Sequence, residues 1–475
     1  MDSKLLEIEE RDEAGNLTAS YYESSTHGSS VSRIDVQYPE KTKGYLQRLI
    51  DVFLPAGYPH SVTEDYIQYQ IYDSLQAFSS SIAGLLSSRA VLEGVGVGDP
   101  TATAHSALLL TIFQDSLGRL ATILFAYRIG LALEPECKMY RLLADIFNDT
   151  AMVLDCISPA IPGKAMRVGV LAGSSVLRSL CGVAAGSAKA SLSAHFARAG
   201  NLGEVNAKDS SQETVISLLG MLAGTLIVSH ITTPSATWST LILLLSIHLL
   251  TNHRAVRAVS MTTLNRQRAN IVFSHLLQHD KVLKPTEVSK MERIFERDGV
   301  LRWFGDKDGR DEIVGWAKIG VGLGSVVGCL ERDAKNTTGG RNDLQHGGVK
   351  FSDLLRLFAD EAYILYYDMS ASTIFIVLKS HCKPIDQIQA WAHALLLARG
   401  VGREKDVDQK VLEGLELRRD DQHVANFKLA EMSKNMVKDV LQRNEERLRK
   451  AGWDLDVASL ETRSGVKICA AKKDM

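Results

Sequence analysis

The chain contains two apolar segments of membrane-spanning length, TVISLLGMLAGTLIVSHI (Thr214–Ile231) and ATWSTLILLLSIHLLTNH (Ala236–His253). A short turn containing Pro234 joins them, and the forty residues from Thr214 to His253 include no Asp, Glu, Lys or Arg. A transmembrane helix needs about 20 mostly apolar residues, within a range of about 17–25. The two segments therefore predict a helical hairpin that crosses a lipid bilayer and returns.

Four further charge-poor segments precede this hairpin, and Gly- or Pro-containing turns or polar stretches bound them. Only 23 of the 186 residues from Ile67 to Asn252 are charged, against 69 of 222 from Arg254 to Met475. The first stretch therefore predicts a membrane-embedded bundle, and the second has the composition of a cytosolic domain. Because the four segments carry isolated charges, the sequence leaves open whether two, four or six helices cross. These segments are Tyr66–Ala90, Thr101–Leu133, Met139–Pro159 and Ala165–Phe196.

The predicted fold is mainly α: a polytopic membrane bundle of two to six spans, followed by a small cytosolic α+β domain. Residues 1–40, rich in Ser and acidic residues, predict a disordered tail. The membrane domain is predicted over 41–280 and the α+β domain over 281–475. Within the bundle domain, Arg254–His279 is expected to form a basic, partly amphipathic helix along the membrane surface.

Charge placement and cysteine usage bound the location and the partners. Basic residues concentrate at the two ends of the membrane domain and after its second and fourth helices, which predicts an integral membrane protein with both termini in the cytosol. Six scattered cysteines without paired or metal-ligand spacing favour a reducing compartment or burial. A net charge of −2 offers no basic surplus for nucleic acid, so the expected partner is the lipid bilayer.

Pairs of glycines at four-residue spacing occur in three places within the apolar helices. Such spacing lets helix backbones approach closely in a membrane. Chance, or packing in a soluble helix, is the alternative interpretation of any single pair. The pairs are Gly169 with Gly173, Gly182 with Gly186, and Gly220 with Gly224.

Several long motifs resemble the root UVB-sensitive (RUS) family, also called the vitamin B6-sensitive family. They include FLPAGYPHSVTEDYIQYQIYDSLQAF (Phe53–Phe78), FQDSLGRLATILF (Phe113–Phe125) and KMYRLLADIFNDTAMVLDCISP (Lys138–Pro159). The resemblance covers roughly Tyr45–Phe273 and implies a membrane-associated protein linked in plants to vitamin B6 balance, light-responsive root growth and auxin movement. The family has no settled biochemical activity, so the resemblance implies no catalytic residues and no cofactor.

Three carboxylates on one predicted helix are the main candidates for a ligand or ion pathway. Asp145 and Asp149 lie four residues apart and share a helix face, and Asp155 falls about 80° away. In lipid, such acids point to a path for a cation, a proton or an amine. The alternatives are the polar face of a soluble or interfacial helix, or acids paired structurally with Arg141 and Arg178. Arg178 is also a candidate for the pathway itself.

Two further features of the apolar helices are candidates for function: the charged pair Asp115 and Arg119 as part of the pathway, and two histidines. Asp115 and Arg119 are spaced as an ion pair, which predicts either a structural latch or the charged loop motif of a transporter that dimerisation would complete. His230 and His248 lie inside apolar helices, where each either binds or titrates, or forms a hydrogen bond to a neighbouring helix.

Two functions are compatible with this pattern. The first is a carrier for a small polar molecule, with vitamin B6-related compounds suggested by the resemblance alone. The second is a membrane-anchored scaffold whose C-terminal domain recruits a partner protein. That partner could be a second copy of the chain or another family member, giving a homo- or hetero-oligomer. No group of residues supports an enzyme, a cofactor or a metal site.

Overall fold

The computed structural model describes residues 4–11, 17–25, 32–38, 52–95, 104–198, 200–305, 311–338, 350–406, 422–463 and 465–469. The chain forms two compact units. The first comprises Met1–Phe125 with Tyr140–Val259, and the second comprises Ala126–Met139 with Ser260–Met475. The second unit thus begins about twenty residues before the predicted domain boundary at residue 280.

Long helices make up most of the first unit, and each predicted apolar segment falls largely within one of them. Helix α5 begins at Leu202, ahead of the apolar segment, because the preceding polar residues continue the same helix. Thr233 caps α6 by accepting a hydrogen bond from the Ala236 amide at 3.3 Å, with Pro234 in the first turn. The helices are α1 (Tyr66–Val95), α2 (Ala104–Ile129), α3 (Cys137–Ile157), α4 (Lys164–Phe196), α5 (Leu202–His230) and α6 (Pro234–Ala258).

Four helical segments are long and apolar enough to cross a membrane. Few of their residues are buried inside the protein, and many large apolar side chains are exposed, as Leu226 on α5 and Leu250 on α6 illustrate. Helices α1 and α3 are not among the four, because α1 is rich in serine and glutamine and α3 carries five charged residues. The four segments are Leu108–Ala132, Lys164–Phe196, Leu202–His230 and Pro234–Ala258.

Helix α1 packs along both α5 and α6. Gly220 and Gly224 make the contact with α5 close: a Cβ atom on Gly220 would lie 2.8 Å from Ser81 Cβ, and one on Gly224 would lie 2.7 Å from Leu85 Cδ1. The other two predicted pairs differ. A Cβ on Gly169, Gly182 or Gly186 would meet nothing within 4 Å in the described chain, and one on Gly173 would meet only Leu154 Cδ1 at 3.9 Å. Only the α5 pair therefore mediates close helix packing here.

The N-terminal residues form strands where the composition predicts a disordered tail. Strands β1 (Lys4–Arg11), β2 (Leu17–Ser25) and β3 (Ser32–Gln37) pair antiparallel in sequence order. Alternating apolar and polar residues, as in Ile34 and Val36 on β3, give this stretch a strand period that a composition argument overlooks.

The second unit is a mixed sheet covered by helices. Its strand order is β4-β5-β7-β6, with β8 beside β7; β5 and β8 run parallel to β7, and the other neighbours are antiparallel. Helix α7 begins at its cap Asn265, which accepts from the Arg268 amide at 2.9 Å. The elements are α7 (Arg266–His279), α8 (Pro285–Met291), β4 (Val300–Phe304), β5 (Asp311–Ile319), α9 (Leu323–Thr338), α10 (Phe351–Leu357), β6 (Tyr363–Asp368), β7 (Thr373–Lys379), α11 (Pro384–Asp406), α12 (Gln422–Lys450) and β8 (Lys467–Ile468).

Helix α7 corrects the expectation of a surface helix over Arg254–His279. Helix α6 ends at Ala258 and a non-helical segment precedes α7. Helix α7 belongs to the core of the second unit, where Ile271, Val272 and Phe273 are fully buried. Its basic residues do not face lipid headgroups, because Arg268 is buried and paired with Glu292 at 2.8 Å. The carboxylate of Glu292, rather than an anionic membrane surface, therefore provides the countercharge for Arg268.

A buried polar cluster in the helical bundle

Polar side chains recur along one face of α1. Gln70, Asp73, Gln76 and Ser87 are all buried, and their spacing places them on one side of the helix. Helix α3 presents a matching stripe of charged residues. Since both helices bury these stripes, the interior of the bundle is polar even though much of its outer surface is apolar.

Arg141 on α3 is the centre of the main cluster. Its guanidinium donates to Asp73 Oδ1 at 2.6 Å, to Asp145 Oδ1 at 3.0 Å and to Gln76 Oε1 at 2.8 Å. Asp145 lies one turn from Arg141, so the pair is favoured by helix geometry alone, whereas Asp73 comes from α1. One buried cation is thereby shared by two carboxylates.

Helix α6 closes the cluster with His248 and Asn252. The Gln76 amide nitrogen donates to Asp145 Oδ2 at 2.7 Å and lies 3.0 Å from His248 Nε2. The Asn252 amide nitrogen donates to Asp145 Oδ2 and to the Arg141 carbonyl. Both α6 residues are at most 1% exposed, so the cluster is closed off from solvent on this side.

Asp149 is the least satisfied member of the cluster. Its Oδ1 lies 2.7 Å from His248 Nδ1. This contact is not aligned as a hydrogen bond, and neither carboxylate oxygen of Asp149 has a hydrogen-bond partner in the described chain. His248 Nδ1 and Asn252 Oδ1 likewise have no hydrogen-bond partner in the described chain. A buried polar atom without a partner costs free energy, and four such atoms meet in this one cluster.

A second polar cluster lies further along the same helices. Asp155 on α3 pairs with Arg178 on α4 and accepts from the Ser87 hydroxyl at 2.7 Å. Arg178 also donates to Ser87 Oγ at 2.8 Å. The carboxylate of this cluster is therefore matched by a guanidinium.

A third cluster lies toward the other end of α1. Gln70 donates to Asp209 Oδ1 at 2.9 Å, and Lys189 contacts both Asp209 Oδ2 and Glu213 Oε2 at 2.7 Å. From Gln70 to Ser87, α1 rises about 26 Å, which approaches the thickness of about 30 Å of a bilayer hydrocarbon core.

An apolar layer separates the Arg141 cluster from the Asp155 cluster. Met152 lies on α3 between Asp149 and Asp155, and it packs with Ala83 and Leu86 of α1. Residues of α6 complete this layer, together with the turn before it: Ile231, Leu241 and Leu245. The polar face of α1 is thus interrupted once between these two clusters.

The structure separates the predicted pathway residues into three groups. Asp145 and Asp149 belong to the Arg141 cluster, and Asp155 and Arg178 form the second cluster. Asp145 pairs with Arg141 and Asp155 pairs with Arg178, as the alternative of structural pairing predicts, whereas neither arginine pairs with Asp149. Asp115 and Arg119 are both exposed on α2, apart from these clusters, and no ion pair joins them in the described residues.

The sequence argument missed Asp73, Gln76 and Asn252. A signal existed on α1, where polar residues repeat every three to four positions, but nothing local pointed to Asn252. The two candidate histidines differ: His248 is buried within the Arg141 cluster, whereas His230 is exposed and its Nδ1 lies 2.8 Å from its own helix, at the Leu226 carbonyl.

A cleft of about 480 Å³ in the second unit is a weaker candidate. Gly320 and Gly322, in the loop between β5 and α9, line it with Arg266 and Asp298. Arg266 is already bonded to Asp298 and to the Leu460 carbonyl, so its charge is matched. Within the described ranges, no three carboxylate, imidazole or thiol groups converge as metal ligands in either unit.

Comparison with known proteins identifies the family. A family model described as the vitamin B6 photo-protection and homoeostasis domain matches residues 39–280, and a second, described as the root UVB sensitive protein C-terminal region, matches residues 348–463. The chain belongs to the RUS family. The resemblance seen in the sequence motifs is therefore confirmed, and all three polar clusters lie within the first matched region.

Three RUS relatives illustrate the range of similarity. RUS family member 1 of Dictyostelium discoideum is 38% identical over 296 residues, covering 60% of this chain and 55% of the relative. Protein root UVB sensitive 3 of Arabidopsis thaliana is 31% identical over 386 residues, covering 81% and 82%. Protein root UVB sensitive 2, chloroplastic, of the same plant is 25% identical over 388 residues, covering 81% and 80%. No solved structure matches this chain.

Proposed function

We propose that the first unit is embedded in a lipid bilayer and carries a small polar solute across it. The observation that supports this most is the Arg141 cluster: charged side chains that are buried inside helices whose outer surfaces are apolar. Ionisable groups inside a membrane bundle are costly, and they typically mark a path for a substrate, an ion or a proton.

The exposed surface of the bundle supports the membrane part of the proposal. Leu222 and Leu226 on α5 and Leu243 and Leu250 on α6 are each more than half exposed. A soluble monomer rarely exposes apolar patches of this extent, whereas lipid covers them without cost. We place both termini on the cytosolic side, because an even number of crossings puts them on the same side and basic residues concentrate at both ends of the membrane domain.

The polar stripes of α1 and α3 explain how these helices join the bundle without being apolar themselves. Their charges face inward and are mostly paired, so the cost of placing them in lipid is reduced. Because α1 packs along α5 and α6 and is joined to α3 through Arg141, we propose that α1 and α3 both cross the bilayer with them, which makes six crossings.

Stacked polar clusters with one apolar interruption suit a carrier in a closed state. A solute that reaches the Arg141 cluster finds donors and acceptors to replace its water, while the layer around Met152 blocks passage toward Asp155. Movement of the helices on either side of this layer would expose the clusters to one side of the membrane at a time.

The chemical class of the solute rests on the family description. Since the matching domain is described by vitamin B6 homoeostasis, we propose pyridoxine, pyridoxal or pyridoxamine as solutes. Each is a small ring with several hydrogen-bonding groups, which suits a site that offers carboxylates, amides and a guanidinium.

Uptake by proteoliposomes tests this function. Vesicles containing the full chain should accumulate radiolabelled pyridoxine, pyridoxal or pyridoxamine faster than empty vesicles, and Asp145→Asn should slow the uptake. Asp115→Asn is the matched control, because it makes the same chemical change on an exposed residue outside the clusters. Uptake equal to that of empty vesicles for all three compounds would overturn the proposed solute class.

A further inference from the structure

Asp149 and His248 form the incompletely satisfied part of the Arg141 cluster, and the pair carries a second inference. Asp149 is 5% exposed and His248 is 1% exposed, so solvent does not complete their hydrogen bonding. Their contact distance of 2.7 Å brings an imidazole nitrogen and a carboxylate oxygen within reach of one shared proton.

The charges of the cluster do not balance. Three carboxylates, Asp73, Asp145 and Asp149, share one guanidinium, that of Arg141. Arg141 is engaged by Asp73 and Asp145, which leaves Asp149 without a cation of its own. Burying an uncompensated carboxylate is expensive, so such a group recruits a proton or a bound cation.

The hydrogen bonds around His248 indicate where a proton is already held. Gln76 accepts from Arg141 through Oε1, which directs its amide nitrogen toward Asp145 and His248. Because this nitrogen is a donor, His248 Nε2 must accept, and the proton of a neutral ring then lies on Nδ1, the ring nitrogen nearer to Asp149. His248 is therefore neutral in this arrangement, and Asp149 is the group that still lacks a positive partner.

Other ionisable groups face the pair from three helices. Asp73 comes from α1 and Arg141 and Asp145 come from α3, while Cys181 of α4 lies close enough to interact electrostatically with both Asp145 and Asp149. With His248 neutral and all three carboxylates ionised, the cluster carries a charge of −2. One added proton on Asp149 reduces it to −1.

We propose that Asp149 binds an exchangeable proton, assisted by His248, and that the bundle moves its solute together with this proton. The inference rests on the proposed transport function and identifies the coupling ion of the same site. The proton enters from water on one side, binds a carboxylate oxygen of Asp149, and leaves to water on the other side. A proton suits the site better than a metal ion, because no set of three metal ligands converges among the described residues.

The position of Asp149 supplies the coupling. Met152 lies one turn further along α3, and Leu241 and Leu245 precede His248 on α6, so the pair borders the apolar layer. An ionised Asp149 resists movement into that layer, whereas a protonated Asp149 can pass along it at much lower cost. Protonation therefore favours the helix movement that opens the layer.

The test uses vesicles that contain the full chain and a pH-sensitive dye in the lumen. Pyridoxine is added outside at equal pH, with potassium and valinomycin clamping the membrane potential. Wild-type protein should acidify the lumen as pyridoxine enters. Asp149→Asn and His248→Gln should abolish the acidification, while Asp115→Asn should retain it. A size-exclusion profile shows that each variant is folded.

The outcomes separate this inference from the transport function. Pyridoxine entry without acidification, or entry driven by a sodium gradient but not by a pH gradient, overturns proton coupling and leaves transport intact. If wild type moves no pyridoxine, infrared difference spectra of the detergent-solubilised protein decide the proton site. A protonated-carboxyl band that changes with pH in the wild type and is lost in Asp149→Asn supports proton binding by Asp149. If the Asp149→Asn spectrum equals that of the wild type, Asp149 is not the proton site.

Discussion

Lys138 and Glu292 form a buried ion pair across 154 residues, with Nζ 2.5 Å from Oε2. Arg268 contacts the other oxygen of Glu292 at 2.8 Å, so one carboxylate pairs with two buried cations within the second unit. Burial alone raises the pKa of Glu292, but Lys138 and Arg268 outweigh it and hold the pKa below its usual range. Within the second unit, this triad joins Lys138 to Arg268 on α7 and to Glu292, the residue directly after α8.

Replacing Glu292 with Gln should destabilise the second unit strongly. Lys138 and Arg268 would remain buried with no countercharge from this position, and breaking a buried pair in this way costs about 3–5 kcal/mol. Denaturant unfolding of the detergent-solubilised chain, followed by tryptophan fluorescence, measures the loss. Glu445→Gln is the control, since its partner Arg449 is exposed and the change should leave the midpoint unaltered. Equal midpoints for the two variants would contradict the prediction.

His393 should make the second unit less stable in mild acid. It is fully buried between the Tyr363 hydroxyl and the Ala430 carbonyl, and burial lowers its pKa from 6.5 to about 3. The unfolded chain binds a proton below pH 6.5, whereas the folded one does not until about pH 3. The free energy of unfolding therefore does not depend on His393 above pH 6.5, and through His393 it falls by about 1.4 kcal/mol per pH unit below that value.

Unfolding titrations between pH 7 and pH 5 check this slope, a range that lies above the titration of Glu292. Four of the five tryptophans, Trp303, Trp316, Trp391 and Trp453, report on the second unit. His393→Gln should lower the stability at pH 7 but lose the slope over this range. A variant that kept the wild-type slope would show that another group is responsible.

Glycine substitutions should distinguish the close helix contact from the open positions. Gly220→Ala and Gly224→Ala place a methyl group against α1 within 3 Å of its atoms, and such overpacking costs about 1–3 kcal/mol. Gly182→Ala has space and should be neutral or stabilising by up to about 1 kcal/mol through helix propensity. Thermal unfolding in detergent measures all three. If Gly182→Ala were as destabilising as the α5 variants, the assigned packing would be wrong.

Local pattern was enough to locate the bundle helices, because each apolar segment is longer than a strand and ends at a turn signal. It was also enough to place Asp145 and Asp149 on one face of α3, which depends only on the helical period. The pairing of Arg141 with Asp145 was foreseen as one of two alternatives for the same reason.

Tertiary information was needed for the rest. Asn252 and Asp73 reach Asp145 and Arg141 from other helices, and sequence spacing does not specify which helices meet. The strands β4 and β5 were missed because charged residues such as Glu312 interrupt their apolar pattern. The sequence predicts α7 at the membrane surface because the pairing of Arg266 with Asp298 and of Arg268 with Glu292 cannot be read from it.

Met152 offers a test of the apolar layer that is independent of the charged residues. It lies between the Arg141 and Asp155 clusters and packs with Ala83 and Leu86. Met152→Ser shortens the side chain and adds a hydroxyl, so water should enter the layer and join the two clusters. Pyridoxine should then leak in both directions, with a faster downhill flux and no accumulation driven by a pH gradient.

Efflux from preloaded vesicles measures the leak directly. Met152→Leu is the matched control, because it keeps the apolar volume and should retain slow efflux. Since Gly84 lies beside Met152, with 4.0 Å from an added Cβ to Met152 Cε, Gly84→Ala should tighten the layer and reduce efflux further. Slow efflux in the Met152→Ser vesicles, equal to that of the Leu control, would show that this layer is not the barrier to the solute.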